Sequence, residues 1–277
     1  MLIVDSQVHV WAAETPERPW SLDLGKPQRP VPYGPGDLLS DMDEAGVQAA
    51  VLVPPLWEGR RNDLAIAAAK AHPRRFAVMA RLDPAAEGSR KTLRELPGQP
   101  GVLGLRFAFQ TKKLMPLLTE GHAEWIWGEA QKLGLHIYVL VPHSLVPLID
   151  GVAQRYPGLK IVMDHCALPS GKKDEEAFRD FDELLAIAKR PNVAVKVSAL
   201  PCYSTDTYPY RSLHGYVRRV YDAFGPRRMF WGTDLSRSPI SYRDNITMFT
   251  EEMHWLTGDD LEWIMGRGVC EWLGWML

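Results

Sequence analysis

Residues 135–163 read LHIYVLVPHSLVPLIDGVAQRYPGLKIVM. The first run, Leu135–Val141, is rich in β-branched residues and apolar almost throughout, as a strand covered on both faces should be. An amphipathic stretch over Leu145–Tyr156 stops before Pro157, and a second apolar run fills Leu159–Met163. Strand, helix and strand in that order make a βαβ unit, and the rest of the chain repeats the rhythm. Upstream lie Leu2–Val4 (extending toward Val10), Ala49–Val53, Phe76–Leu82 and Val102–Phe109; downstream lie Val193–Val197 and Met229–Trp231. Helical patterns occupy Gly36–Ala45, Asn62–Ala71, Glu87–Leu96, Glu120–Leu133, Asp174–Lys189 and Arg211–Phe224 between them. Further patterns at Tyr242–Leu256, Asp259–Met265 and Val269–Leu273 close the chain. Eight strand–helix alternations without a linker predict one (β/α)8 TIM barrel over residues 1–277, a fold of about 250 residues. A doubly wound sheet is the rival, but no GxGxxG follows the first strand, so dinucleotide binding has no support.

The composition narrows the function. Lys and Arg number 32 and Asp and Glu 34, giving a net charge of −2, with no basic block of the kind a nucleic-acid binder carries. A hydrophobic share of 46% is too high for a disordered chain. Cys166, Cys202 and Cys270 show no CxxC spacing and read as free thiols in a reducing compartment. The first residues have no basic region of a signal peptide, and no apolar run approaches the roughly 18 residues of a membrane helix. These features predict a cytoplasmic protein that acts on a small molecule, without nucleic acid or membrane as partner; a homo-oligomer stays open. Two loops, Thr15–Gly36, rich in Pro and Gly, and Leu200–Pro209, with a proline near each end, follow the first and seventh strands. Both fall on the rim where βα loops build active sites, and they read as a lid or substrate collar.

Residues with chemistry gather at strand ends. Asp5-Ser6-Gln7-Val8-His9 ends the first strand, and strict alternation points Asp5, Gln7 and His9 to one face. Asp164-His165 ends the sixth strand and Gly232-Thr233-Asp234 the eighth. His9, His165 and Asp234 are therefore expected together on the catalytic rim. Arg106 near the end of the fourth strand, Trp57 and Arg61 in the loop after the second, and Tyr203 after the seventh are candidates for binding substrate. Lys196 lies inside a strand, where it either pairs with a pocket carboxylate or snorkels outward.

The ordered set DSQVHVW (5–11), MDHCALP (163–169), NVAVKVSAL (192–200) and WGTDLSRSP (231–239) resembles the amidohydrolase superfamily. The match is to its amidohydrolase-related branch, which holds pyrone-dicarboxylate lactonase, sugar aldonolactonases and metal-dependent decarboxylases. The resemblance implies a barrel hydrolase that opens a small lactone or related cyclic ester. It departs from the family pattern at Gln7, which stands where the first histidine of the strand-1 pair belongs. An amide oxygen is a poor zinc ligand beside imidazole. One reading keeps a divalent metal such as zinc on His9, His165 and Asp234, with His143 as a further candidate ligand. The other, which Gln7 favours, is metal-free: His9, His165 and the Gln7 amide polarise the carbonyl and Asp234 takes the proton from water. A metal-dependent decarboxylase or amide hydrolase, and a non-catalytic ligand-binding relative, are the alternatives on the same barrel.

Overall fold

A computed structural model describes residues Met1–Leu277. Its strands are β1 (Val4–Val8), β2 (Ala49–Leu52), β3 (Phe76–Ala80), β4 (Val102–Ala108), β5 (His136–Leu140), β6 (Ile161–Met163), β7 (Val193–Ser198) and β8 (Met229–Gly232). Neighbours in sequence pair in parallel from β1 through to β8, with helices outside the ring, which is the (β/α)8 barrel. Along each strand, alternate residues separate into two layers. Val4, Val51, Met79, Tyr138, Val162 and Phe230 fill the inside of the ring, while a larger apolar cluster seals the strands against the helices. Gly104 permits the β4–β5 approach, because a Cβ there would sit 2.1 Å from the His136 carbonyl oxygen.

The helices follow the sequence patterns with two breaks. The pattern over 120–133 is realised as Glu124–Lys132, with a separate helix, Met115–Thr119, before Gly121 that the pattern did not include, and the pattern over 174–189 divides into Asp174–Phe178 and Phe181–Ala186. No helix is long and apolar enough to cross a membrane.

The ring closes between β8 and β1 by a different means. No ladder joins these strands; instead the Asp234 amide donates to the Gln7 carbonyl at 2.9 Å. The Asp5 carboxylate accepts from the Thr233 amide at 3.0 Å, the Thr233 hydroxyl at 2.5 Å and the Tyr242 hydroxyl at 2.9 Å. Gly232 makes the approach possible, since a Cβ there would lie 2.6 Å from Ser6 Oγ. Asp5 thus differs from the alternation expected of it. The β1–β2 register shifts between Asp5 and Val8, so Asp5 turns outward to Tyr242 while Gln7 turns inward to Lys196. A local irregularity of this kind re-aims side chains beside active sites.

Candidate active site

Three strand ends deliver the central group. Asp234 follows β8 in left-handed backbone (φ 53°), and His165 follows β6 in the same conformation (φ 48°), continued by Cys166 and Ala167. Non-glycine residues in this region carry strain of about 1–3 kcal/mol each, and such strain clusters at functional sites. His143 braces this turn, its Nε2 lying 3.0 Å from the Cys166 carbonyl oxygen. Around the Asp234 carboxylate, His9 Nε2 stands 3.2 Å from Oδ1, His165 Nε2 3.5 Å from Oδ2, and Arg237 Nε 2.8 Å from Oδ2. The two histidines and the aspartate are buried.

The hydrogen bonds distinguish the two imidazoles. His9 Nδ1 lies 2.5 Å from the Val53 carbonyl, which can only accept, so Nδ1 carries the proton of the neutral ring. His9 Nε2 is then an acceptor, and the Gln7 amide nitrogen 3.4 Å away can donate to it. The Gln7 oxygen in turn accepts from Lys196 Nζ at 2.5 Å. Lysine, amide and imidazole therefore form one oriented chain that leaves Nε2 of His9 free of a proton. His165 is tied at its other nitrogen, Nδ1 being 2.7 Å from Ser198 Oγ. When Ser198 donates, His165 Nε2 carries a hydrogen toward the site.

Beneath this group lies a buried ion cluster. Lys196 is fully buried, with Nζ 2.6 Å from Asp164 Oδ1 and 3.8 Å from the centre of the Tyr138 ring. Arg106 Nε donates to Asp164 Oδ2 at 3.0 Å. Of the two readings of Lys196, the structure shows the inward pair.

The rim is closed over. The segment after β1 crosses the mouth and is tied down on both sides. Ser236 donates to Gln28, Arg29 reaches the Leu235 carbonyl at 3.4 Å, and Arg18 pairs with Glu58 at 2.9 Å. Trp57 is buried edge-on against His9, with ring centroids 6.1 Å apart, and against Trp11. Beside this roof a cavity of about 760 Å³ opens between the segment after β1 and the loops after β2, β3 and β4. Arg61 lines it, whereas His9, His165 and Asp234 do not. Tyr203 is buried on the other side of the group, 5.1 Å beneath the Arg237 guanidinium. The structure thus brings Gln7, His9, His165 and Asp234 together, places Arg106 in the ion cluster below them, sets Trp57 and Tyr203 beside them, and leaves Arg61 in the neighbouring cavity, bonded to Asp63 and the Glu17 carbonyl. Arg81 and Arg237 are not among the site residues expected from the sequence. The available signal for Arg81 was its position two residues after Met79, just past the end of β3.

Burial, opposed by Asp234 and reinforced by Arg106, holds His9 below its ordinary value of 6.5. Burial, Arg237, Lys196 and Arg106 hold His165 well below it. The unfolded chain binds protons below about pH 6.5 that these folded rings refuse, so their contribution is present above that pH and lost as pH falls. Asp5 acts in the opposite sense. Burial pushes it up to about 6, so the folded state keeps a proton that an unfolded carboxyl, near 3.8, has released. Thermal melts should therefore lose Tm from pH 7 to pH 5, and His165→Asn should flatten that slope. An unaltered slope in the variant would remove His165 as its source.

Comparisons with known proteins bear on the fold and the family. The sequence model of the family described as amidohydrolase matches residues 4–267. L-fucono-1,5-lactonase of Burkholderia ambifaria is 29% identical over 259 residues, covering 86% of this chain and 81% of the relative. An amidohydrolase of Burkholderia multivorans with bound zinc superimposes with a TM-score of 0.83 at 19% identity, over 99% of each chain. A probable 2-pyrone-4,6-dicarboxylic acid hydrolase of Acinetobacter baumannii with citric acid bound does so at 0.78 and 19% identity, over 99% of this chain and 100% of that one. At such identities the structural likenesses show the fold.

Proposed function

This chain belongs to the amidohydrolase family, and from that premise we propose that it is a lactone hydrolase in which Asp234 is the general base. The observation that carries the reading is the buried carboxylate of Asp234 faced by His9 Nε2 at 3.2 Å and His165 Nε2 at 3.5 Å. The similarity to a sugar lactonase and to a probable pyrone hydrolase supports ring opening as the reaction.

Water bound between Asp234 and His9 gives its proton to the carboxylate as its oxygen attacks the lactone carbonyl. His9 serves the water in this scheme, because its Nδ1 proton is committed to Val53 and its Nε2 accepts. That differs from carbonyl polarisation, the role the family resemblance implied for it. The hydrogen on His165 Nε2, the Arg237 guanidinium and the second amide hydrogen of Gln7 face the oxyanion. Preorganised donors of this kind contribute roughly 10²–10³ in rate each. Collapse breaks the ring C–O bond, Asp234 returns its proton to the leaving alkoxide, and a hydroxy acid results.

The residues present do not suit a divalent metal. Arg237 already occupies one oxygen of Asp234 at 2.8 Å, and Lys196 holds the oxygen of Gln7, which replaces an imidazole. A dication would have to enter beside these fixed cations, within reach of Arg106 as well. No step here is routed through a metal.

A pH-indicator screen over five- and six-membered lactones tests the reaction class; no turnover on any of them would remove it. Activity should also survive exhaustive dialysis against a chelator, with less than about a twofold loss. Loss of turnover that zinc restores would instead return His9, His165 and Asp234 to the role of ligands.

A further inference from the structure

One cation at the mouth has no partner. Arg81 follows β3, and because Ala80 is in register with Leu105, Arg81 and Arg106 stand side by side on the inward face. Arg106 has Asp164, at 3.0 Å. Arg81 is only 8% exposed, makes no ion pair and no side-chain hydrogen bond, and its Nη1 is buried without an acceptor. A buried guanidinium left in this state is costly, and natural proteins seldom keep one without a use.

Arg81 lies in the wall of the 760 Å³ cavity. The other charged groups lining that cavity are already matched. Asp83 binds Arg60 at 2.8 Å, Glu58 binds Arg18 at 2.9 Å, Arg61 reaches Asp63 at 3.4 Å, and Asp23 is held by Lys113. The balance across the mouth leans the same way: buried Arg81, Arg106 and Lys196 and half-buried Arg237 face two buried carboxylates, Asp164 and Asp234. The mouth is short of negative charge on the side where the cavity meets Arg81. Burial, reinforced by the like charge of Arg106 and opposed by Asp83, which is itself bound to Arg60, presses Arg81 down to about 9, which still leaves it a cation at neutral pH.

The geometry points to Arg81 as the residue that recognises a carboxylate on the substrate, so that the preferred lactone is an acidic one. This assignment rests on the lactone-hydrolase reading for its substrate but not for its anion site. The fork of a guanidinium matches a carboxylate in two parallel hydrogen bonds, which a lysine cannot reproduce.

The test pairs kinetics with binding. The wild-type protein and the Arg81→Gln and Arg81→Lys variants are assayed on a carboxylated lactone and on its uncharged carboxamide. The wild type should favour the acid, and Arg81→Gln should cut that preference by about 30-fold or more, chiefly through KM. Arg81→Lys should recover part of it. In parallel, succinate should raise the Tm of the wild type and not that of Arg81→Gln, and ligand-free Arg81→Gln should melt no lower than the wild type. Equal losses on acid and carboxamide, or a clear drop in the Tm of the ligand-free variant, would make Arg81 structural and overturn the assignment. If no lactone is turned over but succinate still stabilises only the wild type, the anion site stands and the reaction class alone fails. A stronger response to inorganic phosphate than to succinate would overturn the choice of carboxylate.

Discussion

Replacing Asp234 by Asn is expected to lower kcat for lactone opening by about 10²–10⁴ with little change in KM, the range over which a lost general base is felt. Asn keeps the shape and can still hydrogen-bond, but it has no basic oxygen to take a proton from water. The alternative is that Asp234 only anchors the rim, by holding Arg237 at 2.8 Å and the two imidazoles at 3.2 and 3.5 Å. An anchor predicts loss of Tm with turnover per folded molecule preserved. Circular dichroism and kcat on the same preparation separate the two, and a folded Asp234→Asn enzyme with near-normal kcat would remove this residue from the mechanism. His9→Ala should be milder, because His9 positions water that Asp234 still activates.

Removing the carboxylate of Asp164 is expected to destabilise the barrel by about 3–5 kcal/mol, the range seen when one partner of a buried ion pair is deleted. Asp164 lies between Arg106 Nε at 3.0 Å and Lys196 Nζ at 2.6 Å, with all three side chains at most 3% exposed. Asp164→Ala leaves two buried cations facing each other, and the damage spreads upward because Lys196 also orients Gln7. At roughly 2–4 °C per kcal/mol for a chain of this size, the Tm should fall by at least about 6 °C. A shift under 2 °C would show that water or rearrangement satisfies the cations without Asp164.

The strands were legible because each is a short apolar run, and the eight runs expected are the eight found. His9, His165 and Asp234 were legible for a related reason: each stands just past such a run, where the barrel rim must be. Asp5 was misread because period-2 alternation cannot anticipate the register shift that turns Asp5 outward and Gln7 inward. Arg81 escaped notice because its significance is a missing partner, and the absence of a partner is a property of three dimensions. Arg106 illustrates the converse. In sequence a substrate clamp and a buried ion pair look alike, and only the distance to Asp164 tells them apart. Trp57 read as a pocket lining, whereas its indole is buried against His9 and Trp11.

Because the ring is fastened at β8 to β1, its two most distant pieces of chain meet where the chemistry is. The Asp5–Thr233 bonds span 228 residues, and the Asp234 amide reaches back to Gln7 beside them. During synthesis, seven of the eight strands can assemble while Asp234 is still inside the ribosome. Such an intermediate holds His9 and His165 but lacks Asp234, and on the proposed mechanism it is expected to be as slow as Asp234→Asn. Contacts of this sequence separation are among the slowest for a chain to form. The return of turnover after dilution from denaturant thus marks the fastening of the last strand, and the enzyme carries its own clock for the end of folding.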